Sequence, residues 1–188
     1  MYQIAISGAA RGESVEAGKL LAQAMGQAIA RSGHALMSGA TVGLPNYTAE
    51  AYKAAGGKMS VGMSPASSKV EHVLKYHLPI KAYDTIIYSG LHYIGRDSLL
   101  ITSSDAVVSI GGRMGTLHEF TIAVESNTPI GFLQGAGGIS EEVQTLISLA
   151  HPLRDGMNIL FNEDPDELVK ELVDLLDKEH GKYKQLYY

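Results

Sequence analysis

Short apolar runs alternate with longer helical patterns along this chain, and that alternation restricts the possible folds more than any other feature. Gln3–Ser7, Ala35–Ser38, Met59–Met63, Thr85–Ser89, Ala106–Ile110, Ile130–Leu133 and Asn158–Phe161 read as strands. Several are almost unbroken in apolar residues, as expected of strands covered on both faces. Between the first two, Ala17, Leu20, Leu21, Ala24, Met25, Ala28 and Ile29 recur at helical spacing as one stripe, stopped by Gly33. Leu168, Val169, Leu172, Val173, Leu175 and Leu176 repeat the pattern near the end. That helix starts at Asp164-Pro165, with Asp as cap, Pro at the first helical position and Glu167 completing a capping arrangement. Strand–helix–strand alternation implies right-handed crossovers. The expected fold class is α/β, a mostly parallel sheet of about seven strands with helices on both faces. Residues 64–84 form the longest stretch without a clear pattern, broken only by a short helical signal around Val70–Lys75.

Composition narrows the classes. The chain has 188 residues, 45% apolar and 19% charged, which suits one ordered domain spanning 1–188. The tail 178–188 is charged and aromatic, and is expected to be frayed or packed on a partner subunit. Fifteen Lys and Arg stand against twenty Asp and Glu, a net charge of −5. That balance argues against nucleic acid as a partner and against an anionic membrane surface. There is no cysteine, so disulfides, thiolate catalysis and cysteine metal sites are excluded. Seven histidines include no H-x-x-x-H pair, and no metal site is expected. The N-terminus runs straight into a strand-like segment without a basic region and long apolar stretch, so a signal peptide is not expected and the default location is the cytoplasm.

Function is signalled by where the glycines fall. Ser7-Gly8-Ala9-Ala10-Arg11-Gly12 follows the first strand, Ser38-Gly39-Ala40-Thr41-Val42-Gly43 the second, and Gly111-Gly112-Arg113-Met114-Gly115-Thr116 the fifth. In a parallel sheet these loops share one edge, the edge at which α/β sheets bind ligands. Each leads into a helix whose first amides and partial positive charge suit a phosphate. The expected phosphate or nucleotide contacts are Gly8 and Ala9, then Ser38, Gly39 and Gly43, then Gly111, Gly112, Arg113, Met114, Gly115 and Thr116. No G-x-G-x-x-G follows the first strand and no G-K-[ST] occurs, so neither standard dinucleotide binding nor P-loop chemistry is indicated.

Two charged residues flank the fifth strand. Arg96 carries a rigid fork suited to phosphate or carboxylate. Glu119 suits a base or a stabiliser of developing positive charge. A structural alternative stands beside this: Thr116-Leu117-His118-Glu119 matches a T-x-x-E capping box, in which Glu119 only satisfies backbone donors. Asp105, just before a strand, reads as a loop-orienting residue, and His92 and His118 as surface or supporting residues.

The block from Arg96-Asp97-Ser98 through Ser104-Asp105-Ala106 and Ile110-Gly111-Gly112-Arg113-Met114-Gly115-Thr116-Leu117-His118-Glu119 resembles the central block of the LOG family, within the wider SLOG group of Rossmann-like nucleotide binders. Ser38–Leu44 and Ala54–Pro65 resemble two further motifs of that family. The resemblance implies a modified Rossmann fold, a homodimer, no cofactor, and hydrolysis of a nucleoside 5′-monophosphate to free base and ribose 5-phosphate. It places Arg96 and Glu119 as the catalytic pair, with Gly115 and Thr116 holding the phosphate. Several positions depart from the pattern. The family's proline is Gly111, its middle glycine is Arg113, a basic residue is Asp97, and a glutamate is His118. With Gly135-Ala136-Gly137-Gly138, these departures look closer to a branch that includes molybdenum-cofactor-carrier-like proteins, which bind a phosphorylated pterin without catalysis. The chain is thus expected to take a nucleoside monophosphate or another phosphorylated small molecule, as a phosphoribohydrolase or as a carrier.

Overall fold

The computed structural model describes residues 1–149 and 158–183. Fourteen elements alternate along the described chain. They are β1 (Gln3–Gly8), α1 (Glu13–Ser32), β2 (Ala35–Ser38), α2 (Leu44–Ala54), β3 (Ser60–Ser64), α3 (Lys69–Leu74) and β4 (Thr85–Tyr88). The second half continues with α4 (His92–Thr102), β5 (Ala106–Ile110), α5 (Met114–Ser126), β6 (Ile130–Leu133), α6 (Ile139–Leu149), β7 (Ile159–Asn162) and α7 (Pro165–Gly181). The strands form one sheet in the order β4-β3-β2-β1-β5-β6-β7, parallel throughout. This is the expected Rossmann-like α/β architecture. Among the described residues no helix is long and apolar enough to cross a membrane.

Alternation along the central strands sorts side chains into two layers. Ile4, Ile6, Leu36, Val108 and Ile110 face one side, against residues of α1, α2 and α7 such as Met25, Tyr52 and Leu172. Ala5, Met37, Val107, Ile130 and Phe132 face the other, against Leu100, Ile101, Phe120 and Val143 of α4, α5 and α6. Burial on both sides explains why these strands are near-continuous apolar runs.

The buried stripe of α1 differs from the one its apolar residues suggest. Ala17 and Leu20 are exposed, while Val15, Gly18, Ala22, Met25, Gly26 and Ile29 are buried. The reason is contact with α2. A Cβ on Gly26 would lie 2.1 Å from the carbonyl oxygen of Thr48, and one on Gly18 would lie 3.0 Å from Leu44 Cδ1. Glycine therefore lets two helix backbones touch, which an apolar periodicity does not register. Gly33 ends α1 in the left-handed conformation, at φ 76°. At α7, Asp164 Oδ1 accepts from the amides of Asp166 (2.8 Å) and Glu167 (3.1 Å), the expected cap. The amide of Asp164 itself donates to Asn162 Oδ1 at 2.9 Å, so Asn162 fills the role expected of Glu167. The end of α7 covers part of the expected tail, and 184–188 lie outside the described residues.

The segment after β3 is ordered by a buried histidine. His72 Nε2 lies 3.1 Å from the Pro79 carbonyl, which can only accept, so Nε2 carries the proton. Nδ1 then accepts from the Ser64 hydroxyl at 2.8 Å, and Ser64 Oγ in turn accepts from the Ala66 amide at 3.0 Å. This relay pins both ends of the α3 region.

Gly26→Ala is expected to destabilise the fold by ~1–3 kcal/mol or more, because the clash is with backbone that has nowhere to move. Urea unfolding measures it; an unchanged midpoint would mean that α1 and α2 separate freely.

Candidate functional site

Chain order creates the site. After β1 the chain adds β2, β3 and β4 on one side, then returns to place β5 on the other side of β1. The loops leaving β1 and β5 diverge, and a crevice opens at the carboxyl ends of the two strands. A cavity of about 230 Å³ lies there. Gly8, Ala9 and Ala10 from the β1 loop and Gly39 and Thr41 from the β2 loop line it. So do Tyr93, Arg96 and Asp97 of α4 and Arg113, Gly115, Thr116 and Glu119 at the start of α5. The two loops are tied together where they part: Ala9 N donates to Ile110 O at 3.3 Å.

Three glycine-rich loops reach this edge, but their helix ends are not equivalent. The first amide of α2, Leu44 N, donates to Ala9 O at 2.9 Å, and the next residue is Pro45, which has no N–H. The first turn of α1 carries Glu13 and Glu16, which already complement its dipole. The first turn of α5 carries no acid, and its first helical bond runs from Leu117 N to Arg113 O at 2.9 Å. The amides of Met114, Gly115 and Thr116 precede that bond and are left without helical acceptors. Of the three, α5 is the end suited to an anion.

The turn before α5 requires its glycines. Gly111 and Gly112 have φ of 58° and 99°, so a proline at position 111 would not fit this turn. A Cβ on Gly112 would fall 2.1 Å from Thr116 Oγ1. The turn is braced from the start of α6: Ser140 Oγ donates to Gly111 O (2.7 Å) and Ile139 N to Gly112 O (3.0 Å). Arg113 has a negative φ of −139°, outside the left-handed region that favours glycine, so an arginine is accommodated where the family has a glycine. Its side chain is exposed and lines the cavity without filling it.

Below the turn sits a cluster of buried charge. Arg96, Asp97 and Glu119 are 4%, 6% and 8% exposed. Arg96 reaches beneath the β2 loop, where a Cβ on Gly39 would collide with its Nη1 at 1.4 Å. Nη1 lies 3.5 Å from Met63 O, and Nη2 lies 3.1 Å from Asp97 Oδ1. The second contact brings the charges together but is not aligned as a hydrogen bond; Arg96 Nε and Asp97 Oδ1 are buried without hydrogen-bond partners among the described residues. Asp97 Oδ2 is 3.2 Å from His118 Nδ1. Glu119 Oε2 takes a hydrogen bond from the hydroxyl of Ser7.

These surroundings retune both acids. Burial is the largest influence on Glu119 and raises its pKa, helped by the Asp97 charge and opposed by Arg96 and the Ser7 hydroxyl. The result is a carboxyl moved from its ordinary 4.5 to about 7. Burial also raises Asp97, against the pull of Arg96 and His118.

The capping alternative for Glu119 is overturned. The N-cap of α5 is Arg113, without a side-chain cap bond, and Thr116 and Glu119 lie inside the helix. Glu119 therefore turns inward to Ser7, which sequence spacing does not connect to it across 112 positions. Of the expected contacts, Gly8, Ala9, Gly39, Arg96, Arg113, Gly115, Thr116 and Glu119 line the cavity, whereas Ser38, Gly43, Gly111, Gly112 and Met114 do not. Ser38 is buried against the Tyr83 hydroxyl at 2.8 Å. Gly43 packs on the Ala9 and Ala10 carbonyls. Met114 is exposed to solvent. Sequence reasoning did not single out Ala10 and Thr41 within the glycine-rich loops, and it missed Ile6, Pro45 and Tyr93, which carry no charge or motif signal. Asp105 accepts from Gln3 N at 2.7 Å, the loop-orienting role expected of it.

The sequence model of the SLOG cluster4 family matches residues 1–169. The chain belongs to the SLOG cluster4 family. This bears out the resemblance carried by the Arg96–Glu119 block. An uncharacterised protein of Archaeoglobus fulgidus is 30% identical over 134 residues, covering 71% of this chain and 81% of that protein. Among solved structures, TM1055 superposes with a TM-score of 0.79 at 20% identity, covering 93% of this chain and 99% of that one. The molybdenum cofactor carrier protein of Chlamydomonas reinhardtii gives 0.73 at 24% identity, covering 93% and 98%. At such identities these structures establish that the SLOG cluster4 chain shares their fold.

The raised carboxyl has a consequence for stability. Between pH 4.5 and about 7 folded Glu119 keeps a proton that the unfolded chain has lost, so its contribution to stability falls as pH rises through that interval. Glu119→Gln cannot ionise and escapes this loss. Relative to wild type it is expected to gain roughly 3 kcal/mol between about pH 4 and about pH 8, read from urea midpoints. A pH-independent difference would mean that Glu119 ionises normally.

Proposed function

We propose that the cavity binds a phosphorylated small molecule of the nucleotide class and hydrolyses the N-glycosidic bond of a nucleoside 5′-monophosphate. The observation that carries this reading is Glu119: a buried carboxyl with its pKa near neutrality, on the floor of a cavity one turn from a helix end open to an anion.

In this reading the phosphate docks on the Gly115 and Thr116 amides, with Arg113 at the mouth. The ribose then lies over Glu119. The C1′–N bond breaks, its electron pair leaves with the base, and positive charge develops on the sugar beside the carboxylate. Water adds its oxygen to C1′ and gives one proton to Glu119, which passes it to the nitrogen of the departing base. A carboxyl that titrates near neutrality suits both halves of that exchange. Arg96 acts beside it, holding Glu119 from rising further. No cofactor is required by these steps.

A second reading is binding without turnover, with a phosphorylated pterin as cargo. Asp97 favours it, since a carboxylate 3.1 Å from Arg96 Nη2 claims part of the charge that a ligand oxyanion would otherwise meet. The shared fold of a molybdenum cofactor carrier agrees with it.

Incubation with a panel of nucleoside 5′-monophosphates, followed by chromatography for free base, separates the two. Hydrolysis predicts base release, cut ~10²–10⁴-fold in Glu119→Gln with ligand binding retained. Gly39→Ala is expected to weaken binding as Arg96→Ala does, because the added methyl displaces the guanidinium. No release from any monophosphate, with thermal stabilisation by a pterin phosphate, selects the carrier.

A further inference from the structure

A second cavity of about 280 Å³ adjoins the first and shares Ala10, Thr41 and Tyr93 with it. Its remaining wall is Arg11 and Val42 from the glycine-rich loops and Tyr76, His77 and Leu78 from the segment after α3. The first cavity alone falls short of the ~300–1,000 Å³ usual for a ligand site, whereas the two together lie within that range.

We infer that this groove holds the planar heteroaromatic ring of the ligand, a purine base or a pterin, with Tyr93 as the stacking platform at the junction. The inference rests on the reading of the first cavity as the phosphate and sugar site. Three observations support it. The first is direction. The open helix end lies at β5, and the groove lies over the loops after β1 and β2 and the segment leading to β4. A ligand anchored at α5 and crossing Glu119 therefore runs toward Tyr93.

The second is chemistry. Tyr76 and Tyr93 meet edge to face, with ring centroids 5.6 Å apart and planes at 77°. Tyr76 is occupied: its hydroxyl bonds His92 Nδ1 at 2.8 Å, and the Lys75 ammonium lies 5.4 Å from its ring centre. Tyr93 is 46% exposed and common to both cavities. Aromatic side chains stack on bases in this manner. Arg11 makes no ion pair among the described residues, leaving a cation for ring nitrogen or oxygen atoms.

The third is rigidity. The far wall is held by the buried His72 relay and by Leu78 N donating to His72 O at 3.1 Å. His77 adopts φ 55°, which costs energy outside glycine and is sustained here by those bonds. A wall held in place costs a ligand little ordering on binding.

The test compares 5′-AMP, 5′-GMP and neopterin monophosphate with ribose 5-phosphate, which lacks the ring, by isothermal titration. Tyr93→Ala should weaken the best ring-bearing ligand roughly tenfold or more and ribose 5-phosphate by a clearly smaller factor, since Tyr93 also borders the first cavity. Since the chain contains no tryptophan, Tyr93→Trp places a single tryptophan at the junction, and the ring-bearing ligand should quench its emission while ribose 5-phosphate does not. Preference between the nucleotides and neopterin monophosphate identifies the ring. Equal loss for ribose 5-phosphate, or unchanged affinity with an unquenched tryptophan, overturns the groove assignment alone. Wild-type protein that binds none of the four overturns the phosphate reading, and the groove with it.

Discussion

The parallel pairing of β1 with β5 is the contact on which the rest depends. Ile4 to Gly8 run in register with Ala106 to Ile110, joining two halves of the sheet that the chain builds in opposite directions. Without that register the β1 loop and the start of α5 would not face each other, and Ser7 would not reach Glu119. The same pairing buries both strands on two faces, which anchors the edge where the crevice opens. The glycines around it serve this closeness. A Cβ on Gly8 would lie 2.9 Å from the Ile110 carbonyl, so the strands could not end side by side with a larger residue.

Three ionisable groups sit in the floor of that crevice with incomplete pairing. Burying charge is costly unless hydrogen bonds and opposite charge compensate. Here compensation is partial: Arg96 and Asp97 stand close without alignment, and two of their polar atoms lack partners among the described residues. The fold tolerates this because the surrounding packing is extensive and apolar on both sides of the sheet. Local sacrifice of stability of this kind marks sites kept for chemistry or recognition rather than for folding. Glu119 bears most of it, as a carboxyl whose charge is resisted by burial and by Asp97 but favoured by Arg96 and Ser7.

Much of the architecture was legible because it is periodic. Nearly continuous apolar runs such as Ala106–Ile110 suit doubly covered strands, and Asp164-Pro165 announces a helix start by local chemistry. The glycine-rich loops were legible as strand ends for the same reason. Their inequality was not. That α2 spends its first amide on Ala9, while α5 keeps its own free, depends on which loops the sheet brings together. Likewise Leu20 continues a helical stripe in the sequence yet is exposed, because the face of α1 that meets α2 is chosen by Gly18 and Gly26.

The sequence by itself determined the class of fold, the edge of the sheet where the crevice opens, and Arg96 and Glu119 as the charged residues of interest, since strand patterning, turn glycines and a local block of residues are short-range properties. Only the tertiary structure decided where Glu119 sits. A T-x-x-E spacing is compatible with a cap, and the choice against it came from Ser7, Arg96 and Asp97 converging on one buried volume. It also brought Tyr93 and the segment around Tyr76 to the same crevice. Burial and long-range electrostatics depend on where distant segments meet, and no spacing along a chain carries that information.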